Sequence, residues 1–207
     1  MQPLFTVNMI RPFLYAAGLL IIVSCSKNQN NLVISKSKAV ENFEKIGEQS
    51  NQRMTFSLMT GQEQEAIVSQ HISFCIQYFH LNNTQVQILN EAKTNLHEIF
   101  TSQNPETSQV MIKLEKDIQK YFSTLDPYVQ GLIFDSMVNS EEDIANMPVA
   151  DPNTPVNCTC STQSNWCSGW GQGSLVNCNT SACNIEHKRG CGTFWGWSCK
   201  GKCTIGN

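Results

Sequence analysis

This chain of 207 residues lacks the features that mark several common protein classes. Its apolar run at residues 12–23 has 12 residues, which is too few for a transmembrane helix. The formal net charge is −3, and no part is basic enough to favour nucleic-acid binding. The chain also contains no GxSxG or HExxH motif, no glycine-rich phosphate loop and no internal repeat. We therefore expect a protein that is not an enzyme and that uses no metal, cofactor or nucleic acid.

Tryptophan and cysteine are scarce in most of the chain and concentrated near its end. All four tryptophans, eight of the ten cysteines and eight of the twelve glycines follow residue 157. Residues 26–157 contain 9 Lys or Arg against 16 Asp or Glu, whereas residues 158–207, here called the tail, contain 4 against 1. The composition therefore predicts an acidic part joined to a mildly basic, cysteine-rich part.

The N-terminus resembles a bacterial lipoprotein signal. Arg11 precedes the apolar run, which ends in Ile-Val-Ser-Cys, a sequence similar to the lipobox whose cysteine is acylated. We interpret residues 1–24 as a signal peptide, with translation starting at Met1 or Met9. Cys25 would then be the lipidated N-terminus that holds the protein on a membrane surface. The alternative is an ordinary cleaved signal with an incidental cysteine.

Residues 25–149 show the apolar spacing of helices, with few prolines and glycines. Pro105 and Pro127 suit helix starts, and capping residues at 82–84 precede another apolar segment. Three to five helices in this length would form a small bundle around one core. The predicted fold class is therefore mainly α, a small helical bundle followed by a small disulfide-rich C-terminal module. We expect the helical part to serve as a leader or spacer.

Polar residues of the helical part favour structural roles. His71 and His80 are nine residues apart and fall on opposite faces of an ideal helix, so they and His97 do not predict a metal site. Cys75 lies in an apolar run and is expected to be a buried thiol, with a bridge to Cys25 as the alternative if Cys25 is not acylated. Clustered carboxylates fit solvated helix starts better than acid–base catalysis. They are Glu63, Glu65, Glu141, Glu142 and Asp143.

Residues 150–157 contain two prolines and no apolar periodicity, which predicts a linker. A tail of 50 residues with few aliphatic side chains cannot bury enough apolar area to fold without cross-links. Zinc is disfavoured because its ligands usually come as CxxC pairs or with histidines, and the tail has only His187. We therefore predict four disulfides among eight cysteines, with a connectivity that the sequence leaves open. The cysteines are Cys158, Cys160, Cys167, Cys178, Cys183, Cys191, Cys199 and Cys203.

The tail resembles a known family in its cysteine motifs. NCTCSTQSNWC at 157–167, TSAC at 180–183 and GCGT at 190–193, followed by aromatic residues, are similar to the fulvocin C family of bacteriocins. Exported members in Bacteroidetes-type bacteria resemble this whole arrangement of signal, helical region and cysteine-rich end. The tail departs by inserted residues at 170–173, 186–189 and 200–202. The resemblance implies an antibacterial tail, with a target range that the insertions leave open.

Aromatic and basic residues of the tail suggest how it could act. Indole rings and lysines suit the interface of an anionic bilayer, so we predict contact with the membrane or envelope of competitor cells. The predicted contact residues are Trp166, Trp170, Phe194, Trp195, Trp197, Lys200 and Lys202. One alternative is that these rings cover the disulfides as the core of the module. A second alternative is a surface lipoprotein whose tail stacks on cell-wall or surface glycans without killing.

The predicted location is the outer membrane or cell surface, and this conflicts with a diffusible activity. Cleavage within residues 150–157 would release the tail as a secreted fragment and leave the acylated part behind. Killing by cell contact is the alternative. The immunity partner and the target species are not indicated by the sequence.

Overall fold

A computed structural model describes residues 38–47, 49–146, 158–164, 166–167, 175–183 and 186–205. The predicted signal peptide, Cys25, Trp170 and the predicted linker lie outside the described residues. Contacts group Ser35–Asn207 into one compact unit. In the described part, no helix is both long and apolar enough to cross a membrane.

The fold is mainly α, and within the described ranges the short strands lie in the tail. The described residues form eight α-helices. All eight lie within residues 38–146, which we call the helical body. They are α1 Lys38–Phe43, α2 Gln49–Leu58, α3 Gly61–Tyr78, α4 Asn83–Thr94, α5 Leu96–Thr101, α6 Gln109–Tyr121, α7 Pro127–Phe134 and α8 Glu141–Ala145. The sequence predicts three to five helices, and the described residues contain eight, in part because the chain turns at Asn95 between α4 and α5.

Side-chain caps explain where the longer helices begin. Thr60 and Glu63 form a capping box at the start of α3, with Glu63 N donating to Thr60 Oγ1 at 3.3 Å. Asn82 and Gln85 form a second capping box at the start of α4. Pro127 opens α7, as the sequence predicts. These caps satisfy backbone N–H groups that have no partner within the helix.

The described residues of the tail form four strands, β1 Leu175–Asn179, β2 His187–Cys191, β3 Trp197–Cys199 and β4 Lys202–Ile205. The first and last of these pair in antiparallel fashion, with Cys178 opposite Cys203. The middle two also pair in antiparallel fashion, with Cys191 opposite Trp197. An isolated antiparallel β-bridge pairs the backbones of Cys160 and Gly201. The described tail thus contains two small ribbons: Cys191–Cys199 cross-links the β2–β3 ribbon, and Cys178 and Cys203 tie the β1–β4 ribbon to Cys160 and Cys167.

The helical body and the tail share one hydrophobic core. Buried residues of α2, α3, α6 and α7 belong to the same apolar cluster as Phe194, Trp195 and Trp197. This differs from the predicted division into a helical domain at 25–149 and a separate module at 158–207. The physical reason is that the tail has large aromatic rings but too little apolar area of its own to cover them.

Candidate functional site

Four disulfides form the covalent frame of the tail, which confirms the predicted use of all eight cysteines. They are Cys158–Cys183, Cys160–Cys178, Cys167–Cys203 and Cys191–Cys199. The sulfurs of Cys160, Cys167 and Cys203 lie within 4.8 Å of one another because two of these bridges are adjacent. Their electrons are committed to disulfide bonds, so the three residues do not offer thiolates to a metal.

The bridge Cys191–Cys199 closes the base of a short loop, residues 192–197, which we call the aromatic loop. This loop runs from the end of β2 through Trp197, the first residue of β3, and has the sequence Gly-Thr-Phe-Trp-Gly-Trp. Phe194 and Trp195 both have positive φ, at 51° and 54°. Non-glycine residues seldom adopt that conformation unless the surrounding structure imposes it. The packing of the two rings described next provides that constraint.

Trp195 is the central contact between the tail and the helical body. Its side chain is fully buried, at 0% exposure. Phe43 and Phe56 contact its ring edge to face, with centroid distances of 6.2 and 5.5 Å. Its indole Nε1 donates a hydrogen bond of 3.1 Å to the carbonyl oxygen of Asp135. Both the apolar and the polar parts of this tryptophan are thus matched by groups of the body.

Phe194 occupies a neighbouring site in the same core. Its ring lies 5.5 Å from that of Phe134 in α7 and 6.4 Å from that of His71 in α3. The ring of Trp166 also stacks on that of Phe134, with centroids 5.3 Å apart. Two tail rings therefore contact Phe134 of the body.

A buried polar cluster joins the aromatic loop to α6. Thr193 Oγ1 donates a hydrogen bond of 2.7 Å to Glu115 Oε2 and accepts one of 3.1 Å from Trp166 Nε1. The backbone N–H of Thr193 donates to Ser164 Oγ at 2.9 Å. Burial raises the pKa of Glu115, and hydrogen bonds from Thr193 and Ser164 oppose that rise. The carboxyl group of Glu115 thus holds the aromatic loop through the hydroxyl group of Thr193.

Arg53 of α2 connects three parts of the structure. Its guanidinium donates to Gly190 O at 2.8 Å and forms a buried ion pair of 2.8 Å with Asp135 Oδ2. It also lies over the ring of Trp195, 4.8 Å from the centroid. Gly190 has φ of +112°, and a Cβ atom there would lie 2.8 Å from the carbonyl oxygen of Arg53. The absence of a side chain at Gly190 therefore permits the close approach of β2 to α2.

Two basic residues of the tail also contact the body. Arg189 donates to Ser102 O at 2.7 Å and to Gly196 O at 3.0 Å. Burial lowers the pKa of Arg189 to about 10. Lys200 forms an ion pair with Glu106 in the turn before α6. The opposite charges of the two parts, evident in the sequence, thus meet directly at this contact.

These placements correct the predicted set of membrane-contacting residues. Phe194, Trp195 and Trp197 are 1%, 0% and 2% exposed, so their rings do not face solvent. Trp166 is half-buried against the same core, and Lys200 is paired with the body. The alternative expectation, that the rings cover the disulfides, also differs from the structure. The rings pack on helices, while Cys158, Cys191 and Cys199 form a separate small cluster.

Other predicted roles in the helical body agree with the structure. Cys75 is a buried free thiol, and burial raises its pKa. His71 is buried with both ring nitrogens near backbone carbonyls, at 2.7 Å from Val138 O and 2.9 Å from Ile133 O. Burial lowers the pKa of His71, although the two carbonyls oppose this by favouring protonation. His80 and His97 are exposed, and His97 Nδ1 lies 3.4 Å from Glu65 Oε2.

Sequence reasoning did not identify Arg53, Glu115 and Asp135 as parts of the site. Arg53 lies three residues before Phe56 and so on the same helix face, which is a weak signal of burial. Glu115 follows the apolar residue Leu114, but charged residues adjoin apolar ones throughout amphipathic helices. Only the docking of the tail reveals why these charges are inside.

A scan against protein-family models gives no match, and searches of curated proteins and of solved structures give none either.

Proposed function

We propose that this chain is an exported antibacterial protein of the bacteriocin type, whose cystine-framed tail carries the activity without catalysis. The observation that carries the proposal is that all eight cysteines of the tail form disulfides, as in proteins that act outside the cell. Four disulfides hold its ribbons, and they form and persist in oxidising compartments. The resemblance of its cysteine motifs to the fulvocin C family supports the same conclusion.

The proposal extends to the precursor as a whole. Cys25 would be acylated and hold the chain at the outer membrane or cell surface, with the helical body beside the tail. The targets are the envelopes of competitor cells, which indole rings and lysines are suited to meet. A freely diffusing activity requires hydrolysis of a peptide bond in residues 150–157 by an endopeptidase. Killing by cell contact requires no such cut.

A growth-inhibition assay tests the proposal. Residues 150–157 are replaced by the recognition sequence of a specific endopeptidase, and the chain from residue 26 onward is oxidised, folded and cut. The tail is then separated under denaturing conditions that preserve its disulfides, and its mass is checked. We expect it to inhibit the growth of related bacteria and to lose this activity on reduction.

The assay has two informative failures. A correctly oxidised tail that inhibits no strain, from a panel that includes close relatives of the producer, would refute the antibacterial function. Retention of the same tail on insoluble peptidoglycan would then favour the glycan-binding alternative. Inhibition that survives full reduction and alkylation would show that the cystine frame does not carry the activity.

A further inference from the structure

We propose that the helical body is a specific holding site for the tail, which keeps the aromatic loop buried even after the chain between them is cut. This inference rests on the proposed function, since it explains how a protein with an antibacterial tail remains latent. The partner that fits the body is thus the tail of the same chain, and the contact is defined by described residues on both sides.

The apolar part of the holding site is an aromatic cage. Phe43 and Phe56 contact Trp195 edge to face, and Phe134 contacts both Phe194 and Trp166. These contacts bury rings that would otherwise be exposed on a small tail with little core of its own. Removing the rings from water supplies the driving force for holding.

The polar part of the holding site gives it specificity. Groups from four segments of the body form hydrogen bonds with the tail. The bonds are Arg53 to Gly190 O, the Trp195 indole to Asp135 O, the Thr193 hydroxyl to Glu115, and Arg189 to Ser102 O. An ion pair between Glu106 and Lys200 adds a fifth contact. A nonspecific apolar surface would not supply partners for each of these buried polar groups of the tail.

The consequence for function is that the groups suited to touch a target are the ones that the body conceals. Trp195, Phe194 and Trp197 are buried, and Lys200 is paired with a carboxylate. Contact with a bilayer or receptor through these rings requires that they first leave the body. The intact chain is therefore the latent form, and separation of the tail is the activating step.

The test uses the whole oxidised chain, with residues 150–157 replaced by an endopeptidase site and cut without denaturant. All four tryptophans belong to the tail, so intrinsic tryptophan emission reports its environment alone. We expect the two fragments to co-elute in size-exclusion chromatography at micromolar concentration, with emission unchanged by the cut. Co-elution at that concentration implies a Kd of about 1 μM or below. Fragments that separate, with emission shifted to the red, would overturn the proposal.

Variants of the body test whether the assigned contacts do the holding while the tail sequence stays intact. Arg53→Ala and Glu115→Ala remove contacts to the tail, whereas Lys113→Ala removes an exposed residue that pairs with Glu91 and Asp117. We expect each of the first two to weaken the affinity of the cut fragments about tenfold or more, equivalent to 1.4 kcal/mol, and the third to leave it unchanged. If Arg53→Ala loses its helical circular dichroism before cutting, Glu115→Ala decides the outcome. An affinity that is the same in all correctly folded variants would overturn the assigned site.

Growth inhibition separates this inference from the proposed function. The separated tail is compared with an equal amount of tail in the uncleaved chain and in the cut complex, and we expect the two held forms to be at least about tenfold less potent. Equal potency of the held and separated forms would overturn latency. If the separated tail does not inhibit growth but the fragments still co-elute, the antibacterial function fails and the holding site stands.

Discussion

At the scale of single residues, Arg53 shows how a charge can be required inside an apolar core. Its guanidinium satisfies Asp135 and the carbonyl of Gly190 together, and the side chains of the ion pair are 4% and 6% exposed. A buried pair of this kind contributes little net stability, but removing one partner leaves the other charged and desolvated. Arg53 is therefore expected to be far more sensitive to substitution than the exposed ion pairs of the same helical body.

We predict that Arg53→Ala lowers the free energy of unfolding by about 3–5 kcal/mol, because the Asp135 carboxylate remains buried. Urea unfolding followed by circular dichroism measures the loss. Lys113→Ala is the matched control, since it removes two ion pairs at a side chain that is 58% exposed, and it should cost about 1 kcal/mol or less. A loss at Arg53 no larger than that of the control would contradict the role of the buried pair.

Glu115 gives a prediction for pH. Because burial raises its pKa, the folded state binds a proton more readily than the unfolded state does. Its contribution to stability is thus present below the ordinary pKa of the carboxyl and is lost as pH rises through the raised value. Glu115→Gln removes this dependence while keeping an oxygen that can accept from Thr193.

The measurement for Glu115 is urea unfolding of both proteins at several pH values. We expect the free energy of unfolding of the glutamine variant, relative to that of the unmodified protein, to increase from about pH 4 to pH 7. Other titrating groups act equally in both proteins and cancel in this difference. A difference that stays constant over this range would show that the pKa of Glu115 does not change on folding.

At the scale of elements, the packing of β2 on α2 depends on Gly190. Alanine at this position combines an unfavourable φ of +112° with a Cβ only 2.8 Å from backbone, which cannot yield without moving α2. We predict that Gly190→Ala costs about 1–3 kcal/mol from strain alone, with the steric clash added. Chemical unfolding and the position of tryptophan emission measure the effect on stability and on docking.

Gly196→Ala is the comparison for this prediction. Its Cβ would lie 2.7 Å from Met111 Cε, the end of a flexible side chain, and its φ of −77° suits any residue. We expect a smaller loss than at Gly190, because methionine can change rotamer to make room. Equal losses at the two glycines would indicate that crowding, rather than backbone conformation and close approach to α2, determines the cost.

The elements themselves were largely predictable from the sequence, but their docking was not. Apolar spacing, Pro127 and the cap at Asn82 predict helices that the structure contains, because these signals act within a few residues of the chain. The pairing of cysteines was not predictable, since it depends on strand register between β1 and β4. Trp195 looks the same in sequence whether it faces a membrane or a helix, so its burial depends on long-range contacts.

At the scale of the whole molecule, the tail and the helical body supply each other with a core. The body without the aromatic loop would expose Phe43, Phe56 and Phe134, and the tail without the body would expose Phe194 and Trp195. Neither part can lose its partner without exposing large rings to water. The two are expected to unfold together, although one is cross-linked and the other is not.

We therefore predict one cooperative transition for the oxidised chain in urea. Circular dichroism at a helical wavelength reports the body, because the described α-helices lie in it. Tryptophan emission reports the tail, because all four tryptophans lie in the tail. Coincident midpoints and slopes are expected, since a two-state transition looks the same by any probe. If emission shifts at lower urea while the helices persist, the tail undocks as a separate unit and the body must be stable with its aromatic cage empty.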